Sequence, residues 1–388
     1  MTPRPLFIFG IARSGTNLLA GMLNAHPQAT VMLDPLMPLF RLWRNAALVR
    51  AGLDVAPGLP FQDGYFQKQG TAMLDAVLET DTRHAVSASQ LPDLTAAVQA
   101  RMALEHPDLI SIMDGWQGDT VDALLRDAMD RFAAGLPAQD GGRAWLGIKE
   151  VWISDFLPAL ARALPEARFL LIERDPRGVL ASLIGLARKD ASQAAHLVSY
   201  LRHWRKSAVL AQRFSSLPEF SGRLRVVSYE ELAQTPAATI GRVANFLDLE
   251  ADETMLRPRS VDGSARAANT SFSASTPIST QSVEQWRKVL SEDETALIET
   301  LCGPEMRLSG YTPASAADTC SPAVRRAWIQ ADKQPGSWRS DAGDLGFDLA
   351  FETLRRQLLE QKDAEVDATL IRRCFLFEDT YRLLRSTY

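Results

Sequence analysis

The chain has 388 residues, of which 46% are hydrophobic and 23% charged, and its 42 basic and 47 acidic residues leave a net charge of −5. That apolar fraction excludes wholesale disorder and supplies a sizeable core. The acidic balance excludes a dedicated nucleic-acid binder, which carries a basic excess, but leaves room for a local basic pocket around a small anion. The length suits two or three units, or one large α/β domain with insertions. Cys302, Cys320 and Cys374 are too few and too scattered for a disulfide framework or a zinc site. His196 and His203 have no metal-ligand partner at a useful spacing, so no metal is expected. No run of about 18 apolar residues occurs, so no integral membrane segment is expected. The opening residues lack a signal pattern, which points to a cytoplasmic protein.

In chain order, Leu6–Phe9 is a short apolar run ended by Gly10 and reads as a buried parallel strand. After the loop Gly10–Gly15, Leu18, Leu19, Met22 and Leu23 recur at helical spacing until His26-Pro27 stops them. Ala29–Leu33 is a second strand. Between about residues 40 and 142 helical spacing dominates, as over Val121–Phe132, with Leu109–Met113 as the strongest strand pattern. This region reads as a helical insertion of the kind that covers an active site, ending in the loop Gln139–Gly142. Trp145–Lys149, Arg168–Glu173 and Leu224–Ser228 are further strands. Helices are expected over Phe156–Leu164, Val179–Arg188 and Ile240–Leu247. Strands and helices alternating in this way imply a parallel sheet with right-handed crossovers. Arg266–Ser282, rich in Ser, Thr, Ala and Asn, reads as a long functional loop. Val283–Cys302 reads as helical. Beyond Tyr311 a short linker leads into a helical tail, with Leu354, Leu358 and Leu359 on one face and Leu370–Leu384 as the last helix.

The segment Gly10-x-x-x-x-Gly15-Thr16-Asn17 has the outline of a phosphate loop, in which backbone N–H groups and a helix N-terminus face an anion. A Walker loop would continue with Lys and a magnesium-binding hydroxyl. Here Thr16 and Asn17 stand there instead, and the basic residue comes earlier, at Arg13. The loop therefore suits a phosphate other than a terminal triphosphate. A second anion motif begins at Arg174, where a strand ends, and places Ser182 one turn or so into the next helix. Ligands of open α/β sheets bind at strand carboxyl ends, and a guanidinium fork suits a phosphate. The competing reading pairs Arg174 with Glu173 or Asp175 on the surface.

The run Arg13-Ser14-Gly15-Thr16-Asn17-Leu18 resembles the 5′-phosphosulfate loop of sulfotransferases that use 3′-phosphoadenosine-5′-phosphosulfate (PAPS) as donor. Leu23–Pro27 and Asp34-Pro35-Leu36 extend the likeness, nearest to carbohydrate sulfotransferases and next to tyrosylprotein sulfotransferases. Arg174 through Ser182 resembles the family's 3′-phosphate motif. Trp286-Arg287, Cys302 and Gly310-Tyr311 resemble the family's carboxyl-terminal part, whose loop closes over the donor; Ser279, Thr280 and Gln281 are the candidates here. The resemblance covers residues 6–37, 145–250 and 270–311. It implies a P-loop-like three-layer α/β fold with a central parallel sheet and a sulfotransferase domain over 1–311; the helical insertion at about 40–142 and the helical extension over 312–388 are read from the sequence and not accounted for by the resemblance.

By that resemblance Arg13, Ser14, Gly15, Thr16, Asn17, Arg174 and Ser182 hold PAPS. Asp34 is the general base, with Glu150 as the other candidate, and Arg13 and Lys149 stabilise charge. Asp34 stands where the family has Glu, one methylene longer. The acceptor expected is a hydroxyl of a carbohydrate or small molecule; Trp43, Tyr65, Phe66 and Trp116 either form its platform or pack in the core. The alternatives are a P-loop kinase or NTPase, against which the absent lysine speaks, and a non-catalytic nucleotide-binding protein.

Overall fold

The computed structural model describes residues 2–55, 71–137, 142–151, 153–190, 197–266, 278–314, 321–332, 345–361 and 366–388. Five strands, β1 (Arg4–Phe9), β2 (Ala29–Leu33), β3 (Trp145–Lys149), β4 (Arg168–Glu173) and β5 (Leu224–Ser228), pair in parallel in the order β2-β3-β1-β4-β5. Alternate residues serve opposite faces, as the period of a strand dictates. Leu6, Ile8, Val31, Leu33, Leu170 and Ile172 pack on one side with the helices α1 (Thr16–Asn24), α9 (Tyr229–Gln234) and α10 (Pro236–Phe246). Phe7, Phe9, Met32, Ile148, Phe169 and Leu171 face the other side, where most of the remaining helices pack. The result is the three-layer α/β architecture read from the sequence.

On that second side the insertion contributes α2 (Met37–Arg50), α3 (Ala72–Leu78), α4 (Leu91–Glu105) and α5 (Val121–Gly135). Next come α6 (Leu157–Ala163), α7 (Pro176–Lys189) and α8 (Leu197–Ser216). After β5 and its helices follow α11 (Gln281–Glu284), α12 (Trp286–Val289) and α13 (Glu292–Leu308). The tail forms α14 (Pro322–Asp332), α15 (Leu345–Glu360), α16 (Ala368–Phe375) and α17 (Glu378–Thr387). It shares the core of the second face through Leu358, Leu359, Phe375 and Leu384. Buried ion pairs fasten it further: Arg205 to Glu352 at 2.7 Å, and Arg355 to Glu305. Removing one partner of such a pair strands a buried charge. Among the described residues no helix is long and apolar enough to cross a membrane.

Two expectations need correction. Leu109–Met113 is a 3₁₀ helix over Pro107–Met113, not a strand. The free edge of β2, its nearest place in the sheet, is already occupied. Val31 N–H donates to Asn24 Oδ1 at 2.6 Å and Leu33 N–H to His106 Nε2 at 2.8 Å. Val283–Cys302 is helical as expected and is divided among α11, α12 and α13. Ser291 restarts the chain with a capping box, its Oγ accepting from Glu294 N–H while Glu294 accepts from Ser291 N–H. Leu370–Leu384 likewise divides at Leu376, whose φ of 67° ends α16. Most of the loops Gln139–Gly142 and Arg266–Ser282 lies outside the described residues, as do Tyr65, Phe66, His196 and Cys320.

Candidate active site

Every strand ends at one cavity of about 320 Å³. The turn after β1 contributes Ala12, Arg13 and Gly15 through Leu18; β2 contributes Asp34, β3 Lys149 and Val151, β4 Arg174, and β5 Tyr229. With the order β2-β3-β1-β4-β5, the chain leaves β1 toward one edge and later returns to build the other half. This is the switch-point crevice at which open α/β sheets bind ligands.

The first wall is built for an anion. Gly15, at φ 101°, begins α1, and a Cβ there would lie 2.4 Å from the Tyr229 ring, so the turn admits only glycine. No side chain caps α1 and no acidic residue stands in its first turn. Its leading N–H groups and the positive end of its dipole therefore remain for a ligand. Arg13 adopts φ 73°, a left-handed conformation that a non-glycine residue holds only under constraint. Its Nε donates to Ser182 Oγ at 3.0 Å.

Arg174 is buried and lies over the Tyr229 ring at 4.1 Å. Its terminal nitrogens donate to Arg13 O at 2.9 Å and Ser282 O at 3.0 Å. Burial, and then the Arg174 charge, push the Arg13 guanidinium below its ordinary value. Arg174 Nε and Asn17 Oδ1 are buried without a protein partner among the described residues. A Cβ on Gly178 would come within 2.9 Å of Arg174 Nε, so this glycine lets the guanidinium lie against the start of α7. A carboxylate pairing of the kind weighed for Arg174 belongs to Arg177 instead, and it is buried. That residue bonds Asp175 and, at 2.8 Å, Glu299, and lies over Trp286 at 4.2 Å.

The second wall carries compensated charge. Asp34 follows β2 with φ 47° and is buried. Its Oδ2 accepts from Lys149 Nζ at 2.5 Å and pairs with Arg101 at 3.0 Å. Lys149 is also buried. Glu150 lies behind this wall, wholly enclosed, with Oε1 accepting from Leu36 N–H at 2.5 Å. Burial first, then the Asp34 carboxylate, raise its pKa well above the carboxylate range.

The cavity thus gathers Arg13, Gly15, Thr16, Asn17, Asp34, Lys149, Arg174 and Ser182. Ser14 turns inward, its hydroxyl donating to Ile11 O at 2.7 Å, and neither it nor Glu150 lines the cavity. Trp286 packs against Arg177 outside the lining, while Trp43 and Trp116 are buried with their indole N–H groups bonded to Asp81 O and Leu124 O. Five lining residues escaped the sequence reading, Arg101, Glu105, Val151, Tyr229 and Pro258, and Arg266 was read only as the start of the long loop. Tyr229 had a usable signal, since it follows the carboxyl end of a strand. Arg101 and Glu105 had none, because only the fold of the insertion brings α4 to the sheet.

A parallel sheet whose strand ends set two guanidiniums beside a helix N-terminus, facing a carboxylate–lysine pair, suits a group-transfer enzyme for a phosphorylated donor. Residues 5–253, well over half the chain, match the Sulfotransferase family, and the chain belongs to it. It is accordingly an enzyme that uses an activated sulfate donor. A putative protein-tyrosine sulfotransferase of Caenorhabditis briggsae is 25% identical over 65% of this chain and 89% of its own. A second, from Caenorhabditis elegans, is 28% identical over 53% of this chain and 83% of its own. The sulfotransferase domain of the Synechococcus PCC 7002 olefin synthase covers 80% of this chain and 96% of its own at 19% identity, with a TM-score of 0.44.

Proposed function

We propose that the chain transfers the sulfuryl group of PAPS to a phenolic hydroxyl, with a tyrosyl side chain as the acceptor. The observation that carries the donor is the buried Arg174 beside the uncapped start of α1, with its Nε and Asn17 Oδ1 unsatisfied among the described residues. A buried guanidinium nitrogen left without a partner next to a helix N-terminus calls for an anion. Arg174 and Ser182 would take the 3′-phosphate, while Arg13, Gly15, Thr16 and Asn17 would take the 5′-phosphosulfate. The donor supplies an electrophilic sulfur and a phosphate leaving group.

The protein's own work lies around Asp34. Its carboxylate takes the acceptor hydroxyl proton as the acceptor oxygen bonds to sulfur and the bond from sulfur to the bridging oxygen breaks. The electron pair of that bond leaves with the 5′-phosphate. Lys149 and Arg13 stabilise the charge that develops there, and the wall holds the two oxygens in line. Two considerations favour a phenol. A carboxylate is a weak base, near 4 when free, and a phenol near 10 surrenders its proton more readily than an alkyl hydroxyl does. The named relatives, matched over most of their length, are also protein-tyrosine enzymes. A carbohydrate-type hydroxyl, nearest to the opening sequence motifs, is the second reading.

The test is radiolabelled transfer from PAPS to a tyrosyl peptide, to a simple glycan and to buffer alone, with magnesium–ATP as the competing donor. Label in the peptide is expected. Label in the glycan only would move the acceptor to the second reading. Phosphoryl transfer from ATP without sulfuryl transfer would overturn the proposal.

A further inference from the structure

Asp34 Oδ2 meets two cations at once, Lys149 from β3 and Arg101 from the insertion. We propose that Arg101 is a positioning residue, which holds the Asp34 carboxylate ionised and aimed when Lys149 is drawn toward the sulfuryl oxygens. The proposal rests on the reading of Asp34 as base, made above.

The two cations differ in what they can do. Lys149 is 2% exposed and lines the cavity, so an anion bound there is the partner that would draw its ammonium from Asp34. Once it does, Asp34 would be a buried carboxylate without a counter-charge, a costly state. Arg101 stands at the rim, with its side chain 30% exposed, and reaches in to the same oxygen. A guanidinium does not give up its proton in a protein. It can therefore hold the carboxylate without donating the proton that the base must take from the acceptor.

The helix that carries Arg101 is fixed to the base at several points. Val98 and Met102 are buried in the core, while Arg101 and Glu105, four residues apart on one face, line the cavity. His106 ends α4 and accepts from Leu33 N–H, the residue before Asp34. Asp34 itself is held in the left-handed region, a conformation that persists only when its surroundings impose it. The groups facing Asp34 are then Lys149 and Glu150 from β3, and Arg101 and His106 from α4. The Glu105–Arg266 pair, at 3.7 Å, stands on the same cavity lining.

The experiment compares Arg101→Met, which keeps much of the aliphatic stem, Arg101→Gln and Arg101→Lys, each in the wild-type and Asp34→Asn backgrounds. Sulfuryl transfer from PAPS to a tyrosyl peptide is followed across pH, beside the binding of adenosine 3′,5′-bisphosphate. Met and Gln should lower kcat roughly 10- to 100-fold, the scale of a misplaced reacting group. They should also move the acid limb of the kcat profile upward, because a carboxylate that loses a neighbouring cation is protonated more easily. Arg101→Lys should restore most of both, and nucleotide binding should not change. In Asp34→Asn, Arg101→Met should cost nothing further. An unmoved acid limb in both Met and Gln variants, or an equal additional loss in Asp34→Asn, would overturn the positioning role. Full turnover in Asp34→Asn alone would instead remove the reading of Asp34 as base.

Discussion

The two walls of the cavity solve different electrostatic problems. The wall from β1, β4 and β5 sets Arg13 and Arg174 side by side, with Arg174 Nε unsatisfied among the described residues. The wall from β2, β3 and α4 neutralises its carboxylate with Lys149 and Arg101. The first resembles a socket waiting for a polyanion. The second is a closed ion network that must open for a proton to move. Binding and chemistry should therefore separate by mutation, and the variants below test that separation.

The largest effect is expected from Asp34→Asn. It removes the proposed proton acceptor and should lower transfer by about 10²- to 10⁴-fold, with binding of adenosine 3′,5′-bisphosphate unchanged. Single-turnover transfer measured beside calorimetry checks both halves, and a parallel loss of binding would show that the walls do not act separately. The opposite pattern is expected from Gly178→Ala. A Cβ there meets Arg174 Nε at 2.9 Å, and moving that guanidinium should weaken the bisphosphate roughly tenfold by loss of a charge-assisted contact. Adenosine 5′-monophosphate should bind as before.

A smaller effect concerns stability. Burial, and then the Arg266 charge, lower the His106 pKa from 6.5 to about 4. A histidine held neutral in the fold contributes stability that is present above its unfolded pKa and is lost as pH falls through the folded one. The window is 6.5 down to about 4, and the loss is on the order of 3 kcal/mol. His106→Gln should flatten this slope in denaturant titrations run across the window. An unchanged slope would mean that α4 does not fasten the edge of β2 through this residue.

The same division governs what the sequence disclosed. All five strands are visible as short apolar runs because both faces of β1 to β4 are buried. The anion-binding wall is legible because its parts are contiguous: Arg13 through Asn17 in one turn, and Arg174 through Ser182 in another. The opposite wall is only half legible. Asp34 and Lys149 follow their strands directly, but Arg101, Glu105 and Arg266 reach the cavity through long-range packing that no local spacing encodes. The left-handed backbone of Arg13 and Asp34 was hidden for a similar reason, since neither is a glycine. Leu109–Met113 misled because an apolar run carries no information about whether a sheet edge is free to receive it.

The account stands or falls on whether Arg174 reads a second phosphate. Isothermal titration of adenosine 3′,5′-bisphosphate and adenosine 5′-monophosphate into the wild type and Arg174→Ala measures this directly. The wild type should prefer the bisphosphate by about tenfold or more, and Arg174→Ala should bind the two nucleotides alike. A variant that still discriminates between them as well as the wild type does would contradict the assignment.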